Sequence, residues 1–299
     1  MRKILSTSLL FAFIFLIGCK DKKEQAIVKT VDAKSLMNAS SERFKEFWSL
    51  GDANAISGEF TADAIRVISN PASPIEGNKK IKNAFTALFS ENSELKGSQI
   101  SITLLETRLV TEDILLGAGT FEISDKNKNI LESGKWGNVY EVSDGKIKFL
   151  LESAHRTIDP TKIIGKAPTS LKNSIVSEAL HFEKIQTSVS NYIKFANEGN
   201  EDQLAMLFAE NGIQSVSSKE GVVKGREKIK ATEESSEGQI LNANILGYKY
   251  LGNSIAIGYG NWTQLDEKSN TMVTGQWGNL FKIEGDVAYL LMESAGLIQ

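Results

Sequence analysis

Two stretches of this chain place a glutamate and a serine at the end of an apolar run. They are Leu150-Leu151-Glu152-Ser153-Ala154 and Leu291-Met292-Glu293-Ser294-Ala295. A carboxylate in apolar surroundings is pushed above its usual pKa and then suits general-base work. Each stretch follows a tryptophan and an asparagine two residues apart, in Gly134-Lys135-Trp136-Gly137-Asn138 and Gly275-Gln276-Trp277-Gly278-Asn279. An indole wall with one amide is the composition of a small-molecule pocket. The same pair equally suits a core, with tryptophan filling space and asparagine bonding a backbone group. His155 and His181 are the only histidines and stand apart, so no metal site is expected. There is no Ser-His-Asp signature, glycine-rich phosphate loop or Cys-x-x-Cys. No catalytic residue is identified and no cofactor is implied.

What must position these residues is a tandem duplication. Phe47 falls on Phe195, Gly51 on Gly199, Phe60 on Phe208, Gly77 on Gly225 and Ile81 on Ile229, all at an offset of 148. Further on, Gly117 falls on Gly258, Trp136 on Trp277 and Glu152 on Glu293, at an offset of 141. The second copy has therefore lost seven residues between about Thr86 and Thr103. In each copy an amphipathic helix stops at Gly51 or Gly199, and Asp52 or Asn200 caps a second helix. A short strand follows, then a third helix in which Ile81, Ala84, Phe85, Leu88 and Phe89 share one face. The remainder reads as strands. Helices followed by a strand meander give an α+β class.

This order is similar to the nuclear transport factor 2-like superfamily, which includes SnoaL-like polyketide cyclases and ketosteroid isomerase. The residues that carry the resemblance are Gly51-Asp52 to Phe60-Thr61-Ala62-Asp63-Ala64, the Gly77 turn and Gly134-Lys135-Trp136, with their counterparts in the second copy. It implies two tandem cone-shaped domains, each with N-terminal helices packed on a curved antiparallel sheet around a conical pocket. It also implies a pseudo-dimer of the two halves through their convex sheet faces. Ketosteroid isomerases carry a catalytic aspartate on the strand after the pair matching Asp63-Ala64. Here Ile68 or Ser69, and Val216 or Ser217, stand there, so that mechanism is not supported.

Asp144-Gly145 is a two-residue hairpin signal. Counting outward from it places Trp136 opposite Ser153. Trp136, Asn138, Tyr140, Ser153 and His155 then face the helices, while Lys135, Gly137, Val139, Leu150, Glu152 and Arg156 face away. A slip of one residue would exchange the faces. The expected ligand-pocket residues are Trp136, Asn138, Tyr140, Ser153, His155 and Phe85, with Trp277 and Asn279 in the second copy. The third helix of that copy runs into Ala231-Thr232-Glu233-Glu234-Ser235-Ser236-Glu237, nearly without apolar residues. A covered apolar cavity is therefore expected in the first copy and a shallower, open or degenerate one in the second.

The N-terminus is a targeting segment. Arg2-Lys3 precedes an apolar run from Ile4 to Ile17, too short to span a bilayer comfortably. Leu16-Ile17-Gly18-Cys19 resembles the lipobox of bacterial lipoproteins, which implies cleavage before Cys19 and acylation of that residue. Lys20 stands where an aspartate would signal inner-membrane retention, so an outer-membrane anchor in the cell envelope is expected. Cys19 is the only cysteine, which leaves no intramolecular disulfide. The expected divisions are a signal peptide over 1–18, a tether over 19–34, and domains over 35–158 and 159–299. With 34 basic and 37 acidic residues and no basic block, nucleic acid is not an expected partner. The expected function is non-catalytic binding of a small apolar or amphipathic molecule in the first-domain cavity. An isomerase, cyclase or hydrolase is one alternative, and a protein-interaction or assembly module is the other.

Overall fold

Capping residues set the helices where the sequence places them. The structure is a computed structural model and describes residues 32–71, 73–158, 174–177, 179–233 and 238–298. The expected signal peptide, Cys19, most of the expected tether and residues 159–173 lie outside the described residues. Helix α1 (Ala33–Leu50) begins two residues inside the expected tether because the Asp32 carboxylate accepts the Lys34 backbone N–H at 3.2 Å. It ends at Gly51, which adopts the left-handed conformation with φ 64°. Asp52 caps α2 (Ala53–Gly58) by accepting from the Asn54 and Ala55 amides. Strands β1 (Phe60–Ile68) and β2 (Ile75–Glu76) lead to α3 (Asn78–Leu88), which buries Ile81 and Phe85. The meander β3 (Gln99–Leu109), β4 (Ile114–Ser124), β5 (Ile130–Ser143) and β6 (Lys146–Arg156) completes the first half.

The second half repeats this order. It comprises α4 (Leu180–Asn197), α5 (Glu201–Met206), β7 (Phe208–Val216), β8 (Val223–Lys224), α6 (Arg226–Thr232), β9 (Gln239–Gly252), β10 (Ile255–Asp266), β11 (Thr271–Glu284) and β12 (Val287–Leu297). Asn200 caps α5 as expected, accepting the Gln203 amide at 3.1 Å. Helix α6 has 7 residues where α3 has 11, consistent with the loss of apolar residues after Ile229. The fold is thus α+β, with two tandem halves.

The sheets differ from expectation in one respect. They are mixed rather than wholly antiparallel, with orders β2-β1-β6-β5-β4-β3 and β8-β7-β12-β11-β10-β9. Strand β1 lies parallel to β6, and β7 lies parallel to β12. No hairpin joins these pairs, because the meander comes between them in sequence, so turn geometry does not force them antiparallel.

A bulge corrects the register of the last hairpin. Near the turn Tyr140 pairs with Phe149 as counted, but Val139 pairs with Leu151, leaving Leu150 as the extra residue. Trp136 consequently lies opposite Ala154, not Ser153. Beyond the bulge every side chain of β6 changes face. Glu152, Ala154 and Arg156 turn toward the helices, and Ser153 and His155 turn away. The second copy bulges identically at Leu291, with Phe281 on Leu290 and Leu280 on Met292.

The two convex faces pack together, and the pseudo-dimer is intramolecular. Ile65, Val67, Leu116, Val139 and Leu151 of the first half share one apolar cluster with Ile213, Ile257, Leu280, Leu291 and Met292 of the second. Polar contacts repeat across this interface. The Ser294 hydroxyl donates to the Ser153 carbonyl at 3.1 Å, and the Ser153 hydroxyl to the Ser294 carbonyl at 3.4 Å. The Lys135 ammonium donates to the Val216 carbonyl at 3.0 Å and also to the Lys219 carbonyl. Its counterpart Gln276 donates to the Ile68 and Pro71 carbonyls at 2.9 and 2.8 Å. Gly137 allows the close approach, since a Cβ there would lie 2.9 Å from Ser294 Cβ.

Candidate functional site

Each half holds a cavity between its helices and the concave face of its sheet. The first has a volume of about 710 Å³ and the second about 610 Å³. The expectation of a degenerate second cavity is therefore not met. Its walls are supplied by the sheet and by α4, which the shortening of α6 leaves in place.

Apolar side chains dominate the first cavity, with Phe44 and Trp48 from α1, Leu88 from α3, Phe121 from β4 and Phe149 from β6. Three of the expected pocket residues, Trp136, Asn138 and Tyr140, do line it. Each is also tied into the structure. Trp136 Nε1 donates to the Thr120 carbonyl at 3.1 Å. Asn138 Oδ1 accepts the Ser153 amide at 2.9 Å, replacing a ladder bond beside the bulge, and its Nδ2 donates to the Tyr140 hydroxyl at 3.2 Å. Burial pushes the Tyr140 phenol well above its usual range. Phe85 is wholly buried behind the wall, and the Arg66 guanidinium lies over its ring at 4.3 Å.

Ser153 and His155 do not line the cavity. The bulge puts both on the sheet-to-sheet face. His155 is wholly buried there, with Nε2 3.0 Å from the Ser153 hydroxyl and Nδ1 without a partner among the described residues. Burial pulls its pKa down to about 3, so the ring is neutral. A side chain at Gly296, its counterpart, would collide with this ring, and only one histidine fits across the pseudo-twofold.

In their place the bulge delivers charged groups that the counted register had turned outward. Arg66 on β1 pairs with Glu152 on β6, both buried, through Nε and through Nη2 at 3.5 Å to Oε1. Arg156 Nη1 donates to Glu132 at 2.8 Å. The clue in the sequence was Leu150-Leu151, two consecutive apolar residues that break the alternation of β6. Leu291-Met292 repeats it.

The second cavity has the same frame and different chemistry. Trp277 and Asn279 line it as expected, and Asn279 Oδ1 accepts the Ser294 amide at 3.1 Å. Gln214 occupies the position of Arg66. Its Nε2 donates to Glu293 and to Glu233, both at 2.8 Å. The Lys219 ammonium lies 2.5 Å from Glu233 and 3.3 Å from Gln214 Oε1. The Tyr192 hydroxyl shares a hydrogen bond with Glu293. Glu293 is only 6% exposed. Burial and then the neighbouring Glu233 hold its carboxyl above the usual range, outweighing Lys219. Sequence reasoning missed Tyr192, Glu233 and Lys219, which come from α4, the C-cap of α6 and the turn after β7 and share no local motif.

No protein-family model matches the chain, and no curated protein matches it significantly. Solved structures do. A cystatin-like-fold domain from Nostoc punctiforme is 14% identical with a TM-score of 0.38, covering 42% of this chain and 78% of that one. A nuclear transport factor 2-like protein with a cystatin-like fold from Novosphingobium aromaticivorans is 17% identical with a TM-score of 0.36, covering 40% and 82%. A ketosteroid isomerase-like protein from Erwinia carotovora is 12% identical with a TM-score of 0.35, covering 42% and 99%.

Proposed function

We propose that this is a lipid-anchored protein of the cell envelope, held at the outer membrane through acylated Cys19. Its first cavity binds a small apolar or amphipathic molecule without transforming it. The observation that supports this reading is an apolar cavity of about 710 Å³ in which both guanidiniums are already neutralised. That volume is within the usual range for small-molecule sites. Arg66 is paired with Glu152 and Arg156 with Glu132, and both asparagine functions of Asn138 are in use. Such groups hold the cavity open and polarise one end of it, where an amphipathic ligand would place its polar group.

The test is binding of the apolar dye Nile red to the purified protein and to Ala84→Trp, whose indole would fill the cavity from α3. Saturable enhancement of dye fluorescence that the plug abolishes, with an unchanged circular dichroism spectrum, is the expected result. Enhancement that survives the plug contradicts the reading, as does its absence in the unmodified protein. For the anchor, Cys19→Ser should move the protein from the membrane to the soluble fraction. Retention in the membrane would refute the lipid attachment.

A further inference from the structure

The duplication supplies an internal control for charge. In the first cavity Arg66 lies between the Glu152 carboxylate and the Phe85 ring. At the equivalent positions of the second cavity stand Gln214, Glu293 and Glu233, so a guanidinium has become a neutral amide and an aromatic ring has become a carboxylate. Lys219 supplies a single positive charge, bonded to Glu233. Among the described lining residues the second cavity sets Lys219 against Glu201, Glu220, Glu233 and Glu293. The first sets Arg66 and Arg156 against Glu94, Glu132 and Glu152. The second cavity therefore lacks a cation where the first has one built in.

Its walls suit the missing group. Tyr192, Phe195, Trp262, Trp277 and Phe281 line the cavity. Aromatic faces attract ammonium groups through their quadrupoles, the more strongly where water is excluded. Trp277 is 5% exposed, and its Nε1 has no hydrogen-bond partner among the described residues. Among the described residues Glu293 meets hydrogen-bond donors only from Gln214 and Tyr192, both uncharged. An arriving cation would give it the counter-charge that Arg66 gives Glu152.

We propose that the second cavity binds a small organic cation, a protonated amine on an apolar or aromatic body, with its ammonium beside Glu293 and Glu233. This site is separate from the first cavity and does not depend on what the first one binds.

The probe is phenethylamine, compared with 2-phenylethanol, which has a similar shape and no charge. Isothermal titration calorimetry on the full mature chain is expected to show saturable binding of the amine and at least roughly tenfold weaker binding of the alcohol. Gln214→Arg places a guanidinium where the first half has one, and should weaken amine binding at least roughly tenfold. Glu293→Gln should do the same while keeping the side-chain volume. Thermal melts of both variants report folding, and Ala84→Trp serves as a variant that leaves this cavity intact. Equal affinity for amine and alcohol overturns the proposal. So does amine binding unchanged in folded Gln214→Arg, or no saturable amine binding in the unmodified protein.

Discussion

In the first half a guanidinium lies between a carboxylate and an aromatic ring. In the second an amide lies between two carboxylates. Everything that positions these groups is shared: the parallel pairing of β1 with β6 and β7 with β12, the bulge at Leu150 and Leu291, and the asparagine that accepts the amide beyond each bulge. The difference teaches that duplication preserved the frame and released the chemistry inside it. A buried ion pair is self-sufficient, since each partner satisfies the other. A buried carboxyl without a cation takes up a proton, finds a donor or awaits a ligand.

The largest expected effect breaks this comparison directly. Glu152→Gln leaves Arg66 buried without its counter-charge and should cost about 3 kcal/mol of unfolding free energy. Glu293→Gln should leave stability unchanged or raise it at neutral pH. The sign follows from the raised pKa of Glu293. In the folded state the group holds its proton above its ordinary value of 4.5, so its contribution is fully present below that pH and is lost as pH rises. Urea titrations of the two variants at pH 7 decide the matter, and similar losses in both would erase the distinction.

A smaller asymmetry sits in the interface. Gly137→Val would drive a side chain into Ser294 and the Met292 sulfur at 2.9 to 3.0 Å, and should cost about 2 kcal/mol. Gly278→Val meets Ser153 and Leu151 at 3.1 to 3.2 Å and should cost less. Equal melting temperatures for the two variants would show that the interface is looser than the packing indicates.

His155 gives the third effect. It is neutral in the fold with a pKa near 3, against an ordinary value of 6.5. Between these values the unfolded chain binds the extra proton, so stability falls as pH drops through the window, by up to about 1.4 kcal/mol per pH unit. His155→Gln should flatten that slope between pH 6 and pH 4. A slope identical to that of the unmodified protein would remove His155 from the account.

The fold was legible in the sequence because it was written twice. Glycine stops, Asp52 and Asn200 caps and the apolar spacing of the helices are local signals, and the repeat separated them from coincidence. The parallel pairing of β1 with β6 was not legible, since a contact 86 residues apart leaves no local trace. The site was half legible. Trp136, Asn138 and Tyr140 lie on β5 and line the cavity, whereas Glu152, Ser153 and His155 follow the bulge in β6 and take the faces opposite to those the count from the turn gives. One inserted residue inverts every position beyond it. Tyr192, Glu233, Lys219 and Gln214 converge only in three dimensions, and Gln214 gains meaning only beside Arg66.

The most direct measurement is the titration of the Glu293 carboxyl by carbon NMR on glutamate-labelled protein, with the signal assigned by its absence in Glu293→Gln. The unmodified protein should show Glu293 titrating above 4.5, and Gln214→Arg should move it down toward or below that value. A Glu293 that titrates at or below 4.5 in the unmodified protein, or that ignores an arginine at position 214, would contradict the claim that the second half lacks, beside this carboxyl, the guanidinium that the first half carries.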